Sequence, residues 1–293
     1  MPACCTCAAF RGELNGSMFD LDEHSSASPS KAQRLDVERT FSPRPKRLNL
    51  TIKFFLFFWI VAVTVQSISQ KTHPVFWLAY LTHWGVVFSL AYISASVGSA
   101  VYLHLRPPTN TGVLEGGVGV LLKTTWALFA IAFPAEIVIT ILFWLLEFDG
   151  NLKYVSVMVH GGFAALLLID GLVLSRIPLR MKQLLLSQAF CFFYILWGGI
   201  HAYSGIGNPY KDDGTQDDDA IYGSIAWKAK PIDTTILVVG VFFLVNPIVF
   251  LVCRLLSRLL PRRLVRGEEN EQLFQGGKSS RNDEEAGGGY IEM

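Results

Sequence analysis

Six long apolar runs, separated by short polar segments, dominate the pattern of this chain. They cover residues 53–69, 75–102, 120–146, 157–175, 184–203 and 234–256. A helix that crosses a bilayer needs about 17–25 mostly apolar residues, and each run meets that length. Backbone groups in lipid must find partners inside their own segment, so each run is predicted to be an α-helix. A transmembrane barrel would show alternating segments of about ten residues, and none appears. A polar turn holding Glu147, Asp149, Gly150, Asn151 and Lys153 joins the third and fourth runs, which makes those two antiparallel neighbours. The expected fold class is all-α: a polytopic membrane helix bundle over 49–260, with polar tails at 1–48 and 261–293.

The first tail is polar with Ser and Pro and the second mixes Glu, Arg and Gly, so both are expected to be disordered, and 1–48 holds no apolar stretch of the kind a signal peptide requires. Lys and Arg near the run ends set orientation. One set of flanks carries Arg44, Lys46, Arg47, Arg106, Arg176, Arg180, Lys182, Arg254, Arg258, Arg262, Arg263 and Arg266, and the opposite set only Lys71, Lys153, Lys211, Lys228 and Lys230. The bias predicts that both termini face the cytoplasm.

Composition narrows the function classes. Of 293 residues, 51% are hydrophobic and only 17% charged, against about 25% charged in soluble domains. That excludes a water-soluble enzyme and a disordered scaffold. A net charge of +1 gives no electrostatic footprint for nucleic acid. Cys4, Cys5 and Cys7 lack the second ligand pair of a structural zinc site. They read either as a palmitoylation cluster or as free thiols.

Chemistry must come from the polar residues at membrane depth: Thr82, His83, Glu136, Thr140, His160, Asp170, His201 and Asn246. Such groups are costly in lipid and normally face the bundle interior. Thr82, Gly85, Ser89, Tyr92, Ser96 and Ser99 recur at steps of three and four and form one stripe on the second helix, which reads as a close-packing seam. Thr82 is expected about seven residues inside its span, with His83 turned roughly 100° away from the stripe. His160 and Asp170 share a face of the fourth helix, about 15 Å apart, too far for a direct dyad. His160 falls within about a turn of the depth of Thr82, so these two can meet across a helix pair. A Thr hydroxyl becomes a nucleophile when a base takes its proton, and neutral imidazole is the usual base. Thr82 bonded to its own backbone and His160 packed in the bundle is the alternative. Glu136 either orients a histidine or bonds a neighbouring helix, and Pro134 beside it predicts a kink. Asp170 is expected to pair with Lys123 or Arg176, His201 to sit near the interface, and Asn246-Pro247 to kink the sixth helix.

The segment Tyr80-Leu81-Thr82-His83-Trp84-Gly85 resembles that of rolling stone-like proteins, which belong with the broader FAR-17a/AIG1-like multi-pass family. Trp126 with Ile139-Thr140-Ile141-Leu142-Phe143-Trp144 is similar to that family's third helix. Val159-His160-Gly161-Gly162 with Leu168-Ile169-Asp170, then Ile177-Pro178-Leu179-Arg180, Ile221-Tyr222 and Ala226-Trp227-Lys228, extend the resemblance over about 50–258. The androgen-induced branch hydrolyses fatty-acid esters of hydroxy fatty acids with an intramembrane Thr and a His on a later helix. The resemblance places these roles on Thr82 and His160. The rolling stone branch, which this chain resembles more closely, is associated with myoblast fusion.

Two functions stay open. The first is a lipid-ester hydrolase working in the bilayer without metal or cofactor, with Thr82 as nucleophile and His160 as base. The second is a non-enzymatic protein of adhesion or fusion, whose distinguishing feature would be Asp212, Asp213, Asp217, Asp218 and Asp219. Haem transfer is disfavoured, because His83, His160 and His201 lie toward one side and only His104 toward the other. A transporter would need paired repeats, and none is visible.

Overall fold

The structure, a computed structural model, describes residues 46–105, 117–211 and 220–259. The cysteines of the first tail, the acidic residues 212–219 and the segment from 260 onward lie outside the described residues. Six helices are long and apolar enough to cross a membrane, and no strand occurs among the described residues. The all-helical bundle read from the sequence is the fold.

Helix α1 spans Lys46–Ser69. A 3-10 turn, Pro74–Ala79, leads into α2 at Leu81–Leu105. Helix α3, Gly117–Leu142, continues as a π-helical turn over Phe143–Glu147. The fourth span, α4, alternates: α-helical Tyr154–Val157, π-helical Met158–Gly162, α-helical Phe163–Leu167 and π-helical Leu168–Leu174. Helix α5 is Leu184–Ser204, and α6 runs Pro231–Leu259 with a π-helical turn at Val241–Val245. Helix α2 lies between α1 and α3, and α3 packs on α4 and α5. The core they enclose is aromatic, with Tyr92, Trp126, Phe129, Phe133 and Phe163 all fully buried.

The serine stripe of α2 is the seam by which it meets α1, α3 and α4. Ser89, Tyr92 and Ser96 are fully buried, and Ser99 bonds Thr125 at 3.2 Å. Gly85 is required there, because a Cβ on it would stand 2.6 Å from Ile139 Cδ1 and 2.9 Å from Glu136 Oε1. Small residues let two backbones approach in lipid, where no hydrophobic force between helices does so.

At the end of the bundle away from the 205–230 loop, α1, α2 and α4 converge on one ion pair. Lys53 Nζ donates to Asp170 Oδ1 at 2.6 Å, to Ser175 Oγ at 2.6 Å and to Ser96 Oγ at 2.7 Å. Asp170 Oδ2 accepts from Tyr92 Oη at 2.6 Å and Ser96 Oγ at 2.7 Å. Both charged side chains are fully buried. This corrects the expected pairing of Asp170 with Lys123 or Arg176. Helix α1 begins at Lys46, so Lys53 is two turns inside it rather than at a membrane edge. Arg176 instead turns the chain at φ 51°, a left-handed conformation uncommon outside glycine.

Helix α3 carries Pro134 inside a continuous helical run. One other expectation changes. In α4 a single α-helix was expected, and two π-helical stretches replace it. A π turn closes its hydrogen bond over five residues instead of four, as Ser175 N–H does to Asp170 O at 2.8 Å. That rotates Asp170 and Gly171 into the bundle. A Cβ on Gly171 would overlap the Phe129 ring, which is itself held parallel to Phe133 at 5.2 Å. Gly171→Ala is therefore expected to cost about 1–3 kcal/mol by overpacking. It should appear as a lower unfolding midpoint in detergent that Phe129→Leu in the same chain partly restores; an unchanged midpoint would show that the ring yields freely.

Candidate functional site

Thr82 is positioned by a break in the second span. Pro74 opens the 3-10 turn, and Trp77 pins it by donating its indole N–H to Ser67 Oγ at 3.1 Å. Tyr80 is extended (φ −83°, ψ 137°), and the helix restarts at Leu81. Thr82 therefore lies in the first turn of α2, not seven residues inside a continuous helix. The amides of a first turn have no partner within the helix, and they present the positive end of its dipole. The Thr82 amide donates to Tyr222 Oη at 3.5 Å.

Tyr222, from the loop before α6, is the hub at this end. The Thr82 and Tyr194 side chains line the same cavity as Tyr222. Tyr194 Oη in turn donates to Ala79 O at 3.2 Å, as Trp197 Nε1 does at the same distance. Burial pushes the Tyr222 phenol above its usual range, so it stays protonated and available as a donor. Two residues on, Ser224 donates both its amide (3.2 Å) and its hydroxyl to Glu147 Oε1. Thr82, Tyr222, Ser224 and Glu147 together form the polar end of a cavity of about 80 Å³, whose remaining wall is mainly apolar and comes from α3, α5 and α6.

His160 stands beside that cavity. It lies in the first π-helical stretch of α4 with non-helical torsions (φ −108°, ψ 21°). Its ring stacks on Phe143 with centroids 3.5 Å apart and planes 1° apart, and its carbonyl accepts from Trp144 Nε1 at 3.0 Å. Phe143 is a wall residue of the cavity and His160 is not, so Thr82 lines the cavity directly while His160 meets it only through the Phe143 ring. The His160 Nδ1 atom is buried with no hydrogen-bond partner among the described residues. No hydrogen bond joins His160 to Thr82 among those residues.

The other polar residues mainly serve packing. His83 is buried, stacks on Trp77 at 4.0 Å and bonds the Trp77 carbonyl through Nδ1. His201 is buried in the last turn of α5, between Phe76 and Trp197. Thr140 donates to Glu136 O in its own helix at 2.6 Å. Glu136 is fully buried, its Oε1 accepting from Ser89 at 2.8 Å. Asn246 does more than mark a kink: it accepts from Ser187 at 3.0 Å and donates to Gln188 at 2.8 Å. Gln188 in turn donates to Phe242 O at 3.0 Å, inside the π turn of α6. No three His, Cys, Asp or Glu side chains converge as a metal site among the described residues.

A family model described as Protein rolling stone matches residues 44–266. The chain belongs to the rolling stone family. It is an integral membrane protein, with six candidate spans inside the matched region. No curated protein and no solved structure matches it. In this rolling stone family chain, sequence reasoning picked out Thr82 and His160 but passed over Lys53, Glu147, Ser224 and the contact of Tyr222 with Thr82. The signal for Lys53 was a lone cation inside an apolar run. For the other three there was none beyond their place in polar loops, because a loop's fold-back onto a helix end leaves no period in the sequence.

Proposed function

We propose that this rolling stone family protein hydrolyses lipid esters within the membrane, with Thr82 as nucleophile and His160 as general base. The observation that carries the reading is the cavity. It has a buried threonine hydroxyl and several hydrogen-bond donors at one end, an apolar wall beyond, and an imidazole with an unpartnered nitrogen against its Phe143 side. The resemblance to the FAR-17a/AIG1-like hydrolases falls on the same two residues. The Lys and Arg bias favours cytoplasmic termini, which puts the cavity at the opposite interface.

In this mechanism Thr82 Oγ attacks the ester carbonyl while His160 takes the hydroxyl proton. The carbonyl oxygen gains negative charge, which the Tyr222 hydroxyl beside Thr82 stabilises. The C–O bond to the alcohol then breaks and the imidazolium returns its proton to the departing alkoxide. Water, deprotonated by the same imidazole, releases the acyl group as a fatty acid and restores Thr82. Hydrogen bonds of such pairs often close only when substrate is bound, which fits the separate positions of the two side chains here.

The test is hydrolysis of a fatty-acid ester of a hydroxy fatty acid by the purified full chain in lipid nanodiscs. Thr82→Ala and His160→Phe should each lose turnover while keeping the native elution volume and unfolding midpoint. Full hydrolytic rates in both variants would end the assignment.

A further inference from the structure

We infer that Glu147 is a positioning residue, which through Ser224 holds the Tyr222 hydroxyl beside Thr82; its effect on turnover rests on the hydrolase reading above. Glu147 is the last residue of the π-helical turn that ends the third span. A carboxylate there meets the negative end of the helix dipole, which disfavours it. The donors that offset this come from another element. Ser224 supplies both its backbone amide, at 3.2 Å, and its hydroxyl, and both reach the same oxygen, Oε1. With that oxygen occupied, and with no bond to Thr82 among the described residues, Glu147 is placed to hold the loop rather than to take the Thr82 proton.

Ser224 and Tyr222 belong to one tight turn. The Ile225 amide donates to the Tyr222 carbonyl at 3.2 Å, which closes a four-residue turn over Gly223 and Ser224. In so short a ring of backbone, moving Ser224 moves Tyr222. The flanks of the turn are pinned elsewhere: Asn208 Nδ2 donates to Ala220 O at 2.8 Å, and the Ala226 amide to Thr234 Oγ1 at 3.1 Å. Neither bond ties the turn to the third span; among the described residues Glu147 does. Tyr80 meets the Tyr222 ring edge-on at 5.5 Å, a contact that leaves the height of the hydroxyl to the backbone. That height matters, because Tyr222 Oη stands 3.5 Å from the Thr82 amide, at the outer edge of hydrogen-bonding distance. A small shift of the turn breaks the contact.

The experiment takes the full-length protein in nanodiscs through Glu147→Ala, Glu147→Gln, Ser224→Ala, Tyr222→Phe and the double variant Glu147→Ala with Tyr222→Phe. Hydrogen exchange, read by mass spectrometry on peptides covering residues 80–86, reports on the Thr82 amide with no substrate present. Glu147→Ala and Tyr222→Phe should each speed exchange there. Glu147→Gln keeps an acceptor oxygen for Ser224 and should stay near native, while Ser224→Ala loses only the hydroxyl bond and should fall between. The second readout is hydrolysis of a fatty-acid ester of a hydroxy fatty acid. A misplacement of about 1 Å in a catalytic group can cost on the order of 10²-fold. Glu147→Ala should therefore lower kcat by about tenfold or more with KM little changed, Glu147→Gln should stay close to the native rate, and the double variant should fall no further than Tyr222→Phe alone. Native exchange in both Glu147→Ala and Ser224→Ala would show that the turn holds without the carboxylate. A Glu147→Gln chain as impaired as Glu147→Ala would show that charge matters and not the bond to Ser224. A double variant well below Tyr222→Phe would show that Glu147 acts apart from Tyr222. Each of these overturns the inference. Rates equal in the native and Thr82→Ala chains would remove the hydrolase reading, and the exchange pattern would still decide whether Glu147 holds Tyr222.

Discussion

Asp170→Asn is expected to cost this protein about 3–5 kcal/mol of stability, the scale for removing one member of a buried ion pair. Asp170 is the acceptor for Lys53, Tyr92 and Ser96 at once, all within 2.7 Å. An asparagine offers one carbonyl oxygen and an NH₂ group that donates. It would leave the Lys53 ammonium without its counter-charge in a region with no water to replace it. The contribution is to architecture, since the network ties α1 and α2 to the end of α4. Lys53→Met in the same chain as Asp170→Leu should recover most of the loss, because replacing a whole buried pair by apolar groups of similar volume is often neutral. The measurement is the unfolding midpoint by tryptophan fluorescence in detergent. A native midpoint for Asp170→Asn, or a double variant no better than the single, would show that the pair does not hold the bundle together.

Thr82→Ala and His160→Ala are each expected to lower kcat by about 10²–10⁴-fold, the range for losing a positioned proton-transfer partner. The double variant should fall little further, because residues that act as one unit are not additive. His160 also has a packing role, since its ring covers Phe143 at 3.5 Å. His160→Phe separates the two: it keeps an aromatic ring on Phe143 but has no nitrogen to accept a proton. Activity should stay lost in His160→Phe with the native midpoint retained. If His160→Phe hydrolyses at the native rate, His160 is a packing residue and the base is elsewhere. Tyr222→Phe removes a donor near the developing oxyanion, and a smaller loss in kcat with KM unchanged is expected there.

How far the sequence could be read depended on the kind of interaction. The stripe of α2 was legible because steps of three and four identify a face, and the buried Ser89, Tyr92 and Ser96 confirm which face it is. The partner of Asp170 was not legible. Its own helix offers Arg176 nearby in sequence, whereas Lys53 lies 117 residues away. The depth argument that paired Thr82 with His160 assumed an unbroken second helix and a purely α-helical fourth. The first assumption failed at Tyr80 and the second at His160 itself; Thr82 lines the cavity, while His160 lies against its Phe143 wall without a direct bond to Thr82.

Six membrane-crossing helices follow from the sequence alone, because lipid leaves the polar backbone of an apolar run no partner outside its own segment. The family follows from the same string, through the match over 44–266. Tertiary structure alone decided that Lys53 pairs with Asp170, that Tyr222 and Glu147 return to the Thr82 end of the bundle, and that α3, α5 and α6 leave a cavity between them. Periodicity reports which side of a helix turns inward but carries no information about what faces it. The π turns of α4 and α6 add a residue to a turn and so shift that side along the helix.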